Sequence, residues 1–178
     1  MNMDRETLKE RTIQKLRYAR IHLDELVAMP TNLGRGSAFE RAHHEAFLAQ
    51  LFGAYDAFLI ELNEYMGCGL PEEHLSLGKI YEALTKKGKS SPIVKELYEL
   101  TIDQDSWFRT AKDMRDLSTH VKGIPLSFKV IVGGSGKTAL KHPKTMKEHD
   151  EDVFVAFSSW LSSMESLIDT NRQIAIAG

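Results

Sequence analysis

At 178 residues, with 42% apolar and 27% charged positions, the chain is long enough for one domain with a sizeable core of its own. Its single cysteine, Cys68, excludes an internal disulfide and any multi-cysteine zinc site, and fits a reducing compartment. No apolar run approaches the ~18 residues that a membrane span needs, and the charged opening Met-Asn-Met-Asp-Arg-Glu runs straight into a helical pattern. The expectation is a cytoplasmic protein with no secretory signal and no membrane contact.

Leu8, Thr12, Leu16, Ala19, Leu23 and Leu26 recur at threes and fours and predict a first helix over 4–28. Met29-Pro30 and the stretch Asn32 to Gly36 break it, so 1–36 reads as an N-terminal helix and loop. Ser37 is a good N-cap for a second helix reaching Met66. That helix carries a bulky stripe (Leu48, Phe52, Tyr55, Leu59, Leu62, Met66) and a small one (Ala42, Ala46, Ala49, Gly53), which places it centrally in a bundle. A third helix over 76–87 turns Leu77, Ile80, Tyr81 and Leu84 inward and stops at Gly88. Ser91-Pro92 opens a fourth through Leu100. A fifth runs over 103–122, its stripe formed by Trp107, Ala111, Met114, Leu117 or Ser118, and Val121; Gly123-Ile-Pro125 ends it. These helices make up a core segment, 37–122. Residues 123–148 read as a basic hairpin or loop, with strands at 126–132 and 137–140 around Gly133-Gly-Ser-Gly136. A C-terminal helix over 149–173 presents Phe154, Phe157, Leu161, Met164 and Ile168, and the tail from Ile174 frays. The expected fold is all-α: one antiparallel helical bundle over 1–178 with a short β-hairpin excursion before the last helix.

Four patterns bear on chemistry. Gly133 to Thr138 ends like a P-loop, but Ile131 stands where the first glycine belongs, and Pro143 leaves no room for the helix that would hold phosphates. Glu40-Arg-Ala-His43-His44 resembles half of a bundle metal site. It lacks a second Glu-x-x-His, so no metal is expected and a solvated helix face is the reading. Tyr55, Tyr65, Tyr81 and Trp160 could stack bases, although aromatics at helical spacing mostly pack.

The fourth pattern lies at the end of the fifth helix. At about 100° per residue, Asp116 and His120 fall opposite the apolar stripe and Arg115 on its flank. Asp116 and His120 are one turn apart, so the carboxylate can hold the imidazole, and the helix C-terminus favours the imidazolium. No acidic residue occurs from Leu117 to Lys147, while Lys122, Lys129, Lys137, Lys141, Lys144 and Lys147 do. Lys122, Lys129, Lys137, Lys141 and Lys144 are therefore candidate nucleic-acid contacts. Arg17 and His22 repeat the Arg-x4-His spacing, so spacing alone does not discriminate. Five residues turn a helix by about 500°, leaving Arg115 and His120 roughly 140° apart. Either the last turn unwinds, or two copies of the helix pool their residues across a two-fold.

The helix order together with Trp107-x7-Arg115-Asp116-x3-His120 resembles the HEPN superfamily, especially its compact bacterial members associated with toxins and phage defence. The architectural resemblance covers 37–171. Asp116 stands where asparagine is commoner. The resemblance implies a homodimeric, metal-independent endoribonuclease without cofactors, acting on RNA and regulated by an antitoxin or another protein partner. Arg115, Asp116 and His120 would be catalytic: His120 as general acid/base, Arg115 stabilising phosphate charge, Asp116 orienting His120. The alternative it leaves open is a non-catalytic module of the same fold that binds a protein partner or a nucleotide.

Overall fold

Most helices here begin on a side chain that takes up orphan amides of the first turn. In α1 (Arg5–Val27), Asp4 accepts from the amide of Thr7 at 2.9 Å. In α2 (Ala38–Tyr65), Ser37 accepts from the amide of Glu40, the hydroxyl half of a capping box. Ser76 and Ser91 do the same for α3 (Leu77–Lys86) and α4 (Pro92–Ile102), with Pro92 at a position that needs no amide. α3 stops where Gly88 takes a φ of +66°, a backbone that side chains rarely adopt. The structure, a computed structural model, describes residues 4–29, 37–120, 124–129, 137–141 and 146–177; the side chains at 119, 120, 128, 129, 137, 149, 150 and 174–177 lie outside that description.

α5 (Trp107–His120) starts four residues later than its periodicity predicts. Ser106 is the reason: its hydroxyl accepts from the amide of Arg109 at 3.0 Å and donates to the carbonyl of Leu100, ending α4 and opening α5 at once. After α5 come β1 (Leu126–Lys129), β2 (Lys137–Lys141) and β3 (Glu148–Asp152), an antiparallel sheet in the order β1-β2-β3. α6 (Val153–Ala177) closes the chain.

The third strand corrects the expectation of a helix from residue 149. Asp152 draws the boundary: one carboxylate oxygen accepts from the amide of Phe154, capping α6, and the other from the amide of Thr138, tying the helix start to β2. Thr138 thus lies in a strand, as the rejection of a P-loop required. The glycine turn itself, the predicted end of α5 at 121–123 and the loop 30–36 fall outside the described residues. α6 is helical through Ala177, beyond the predicted end.

α2 is the axis of the bundle, in contact with α1, α5 and α6. Its bulky stripe is buried as predicted from Leu48 to Leu62, but Ala42 and Ala49 of the small stripe are exposed. The second buried side is instead Phe47, Leu51, Ala54 and Phe58, with Phe47 stacked on Phe157 of α6 at 4.5 Å. Gly53 does admit a close neighbour: a Cβ there would stand 3.4 Å from the Lys15 side chain. Tyr81, expected inside, is 44% exposed and stacks on Tyr98 of α4. Phe108, unmarked by the periodicity, is buried where Trp107 is only partly so.

Two buried polar clusters run through this core. Glu61 of α2, fully buried, receives Arg172 of α6 through Nε at 2.9 Å and Nη2 at 3.0 Å, and the hydroxyl of Thr12 of α1. Burial opposes the Arg172 charge, but hydrogen bonding to and the charge of Glu61 outweigh it and raise its pKa. Glu40 and His44 form the other. Read as a solvated face, they are buried to within 1% of complete, 4.0 Å apart, with the His44 ring edge-on to Phe157. The cover comes from α6 and from Ile124 and Leu126, which the local pattern of α2 does not announce. No described helix is long and apolar enough to cross a membrane.

Candidate functional site

Phe108, Ala111 and Met114 anchor α5 in the core, which turns Lys112, Arg115 and Asp116 toward its outer flank. Arg115 lies over α2: its guanidinium carbon is 5.2 Å from the centroid of the Phe52 ring, and its side chain keeps 30% of its surface exposed. A buried aromatic face beneath a planar cation fixes the plane of the guanidinium.

Asp116 is held from two sides. Its Oδ1 lies 2.9 Å from Arg115 Nε, and its Oδ2 accepts from Lys112 Nζ at 2.9 Å. The expected partner of this carboxylate, the His120 imidazole, lies outside the described side chains; Asp116 contacts Arg115 and Lys112. The backbone of His120 closes α5.

Asp56 joins the group from α2, one turn beyond Phe52. Although the residue is exposed, its carboxyl lies against protein atoms, and this desolvation raises its pKa; Arg115 and then Lys112 pull it back, while Asp116 adds to the rise. The result is an alternating strip, Asp56, Arg115, Asp116, Lys112, along the seam between α2 and α5. Sequence reasoning missed Lys112 and Asp56. The i,i+4 spacing of Lys112 and Asp116 was available as a signal; nothing local to α2 pairs Asp56 with α5.

The basic hairpin is redistributed by the sheet. The β1/β2 register sets Lys129 opposite Lys137, and the β2/β3 register sets Lys141 opposite Glu148. β3 thus lays an acidic segment, Glu148 to Asp152, along one edge of β2. Lys122 and Lys144 lie outside the described residues. Among the described residues, no three His, Cys, Asp or Glu groups gather as a metal site. A cleft of about 790 Å³ opens between α4, α5 and α6, lined by Asp103, Trp107, Ser162, Ser166 and Asn171 among others, with none of the three motif residues in its wall.

These features define a class only at the level of architecture: a six-helix bundle, among the described residues, with a small antiparallel sheet. Comparison with protein-family models, curated proteins and solved structures found no match for the chain.

Proposed function

We propose that the chain is a cytoplasmic, metal-independent endoribonuclease of the HEPN type, acting as a homodimer, with His120 as general acid/base and Arg115 as phosphate stabiliser. The observation that supports this most is the form of α5: it stays helical through His120 while Arg115 is presented, half-buried, over Phe52. A continuous helix separates the two residues by roughly 140°, so one copy cannot aim both at one phosphate. Two copies meeting at the ends of α5 can, each lending one of the groups.

The chemistry follows from that pairing. A ribose 2′-oxygen attacks the adjacent phosphorus while the His120 imidazole takes its proton, and the imidazolium so formed gives that proton to O5′ as the P–O5′ bond breaks. Arg115 donates to the equatorial oxygens as charge builds. The products are a 2′,3′-cyclic phosphate and a 5′-hydroxyl; the nucleophile is internal, so no metal-activated water enters. A role as a toxin or phage-defence effector, with an antitoxin as partner, belongs to the same proposal.

RNA cleavage in excess chelator tests it. Wild type yields cyclic-phosphate ends, and His120→Ala and Arg115→Ala each lose at least about 100-fold. A second reading, a non-catalytic binding module, has its own observation: Arg115 is already paired with Asp116, and the large cleft lies on the other flank. Wild type indistinguishable from both variants favours that reading.

A further inference from the structure

His22, the histidine of the second Arg-x4-His spacing, belongs to a different arrangement. His22 comes from the C-terminal half of α1 and His43 from the first turns of α2. Their Nδ1 atoms are 3.3 Å apart, and their ring centroids 5.2 Å apart with the planes at 71°. Two nitrogens each about 2.05 Å from a tetrahedral zinc ion are separated by about 3.3 Å, and adding the imidazole radius puts the centroids about 5.2 Å apart. A straight N–H···N bond of the observed length would instead place the centroids about 5.6 Å apart, so the two rings are bent toward a common point. Both measured separations therefore suit convergence of the two lone pairs on one ion.

The rings are also held in place. Phe39, one turn before His43, lies against its ring at 4.3 Å. Ala19, Leu23 and Leu26 of α1 and Phe47 of α2 are buried on either side of the pair, so two packed helices fix the separation. Glu25, one turn after His22, favours positive charge on it.

We propose that His22 and His43 form a two-histidine site for a borderline divalent transition-metal ion such as Zn²⁺, Ni²⁺ or Cu²⁺, clamping α1 to α2. Imidazole donors select these ions over Mg²⁺ and Ca²⁺, and water completes the coordination, so the affinity is that of a two-ligand site. The clamp lies nine residues from Phe52, about 13 Å along α2, and is independent of any chemistry at Arg115.

Calorimetric titration of the tag-free, chelator-stripped full chain with Zn²⁺ and Ni²⁺ tests this. One ion binds per chain, and His22→Ala and His43→Ala each weaken binding at least about tenfold, while His74→Ala, on an exposed turn, leaves it unchanged. Circular dichroism confirms that the variants are folded. Electron paramagnetic resonance of the Cu²⁺-loaded wild type, which needs no variant, shows two imidazole nitrogens. No binding by wild type, binding unaltered in both variants, loss in His74→Ala, or a copper spectrum without imidazole overturns the proposal.

Discussion

Glu61 and Arg172 show how much one pair of side chains can carry. Both oxygens of a fully buried carboxylate are taken by one guanidinium, and Thr12 adds a hydroxyl, so three helices meet on a single charge. A buried pair of this kind contributes little relative to a well-packed apolar pair, yet breaking it strands a charge. Arg172→Met is therefore expected to cost about 3–5 kcal/mol, and adding Glu61→Leu to recover most of that loss. Urea unfolding of the two variants measures it; Arg172→Met within about 1 kcal/mol of wild type would contradict the account. Arg115 is a residue of another kind. Its ring platform and its carboxylate partner make it a positioned cation, and under the proposed function its loss should be felt in RNA cleavage more than in folding.

The seam between α1 and α2 is the longest in the bundle, and its titration is set by His22. Burial lowers the pKa of His22 below the usual 6.5, and the neighbouring His43 lowers it further, against an opposing contribution from Glu25. The unfolded chain therefore takes up this proton first as the medium acidifies. The contribution is fully present above about pH 6.5 and is lost as pH falls toward the lowered value. In metal-free buffer, His22→Gln is expected to flatten the fall in stability between neutrality and pH 5, read by denaturant midpoints; an unchanged slope would count against it. Elements differ in how far their sequences declare them. α2 is legible because its apolar positions and its Ser37 cap agree. β3 is not, because Glu148-His-Asp-Glu-Asp152 has neither apolar alternation nor β-branched residues, and its pairing comes from Glu148 opposite Lys141 and from Asp152, which accepts the Thr138 amide of β2. The start of α5 was displaced for a similar reason, since a stripe of apolar residues says nothing of the Ser106 hydroxyl that divides it from α4.

At the scale of the whole molecule, α2 serves as the shaft. α1 is joined to it through Thr12 and the His22–His43 contact, α6 through Arg172 and the Phe47–Phe157 stack, and α5 through Arg115 over Phe52. Arg115 and Asp116 of the candidate site could be located from the pattern of one helix, but their neighbours could not: Asp56 is 59 positions before Arg115 and reaches it only through the packing of α2 on α5. The period of a continuous helix sets positions 115 and 120 roughly 140° apart, so under the proposed function activity belongs to the dimer. The direct test is RNA cleavage by a purified heterodimer of one Arg115→Ala subunit and one His120→Ala subunit. Each parent homodimer is expected to be inactive, and the heterodimer, with one intact composite site of two, to regain about half of the wild-type rate. A heterodimer as inactive as its parents, or a wild-type dimer that cuts no RNA, would contradict the proposed shared site.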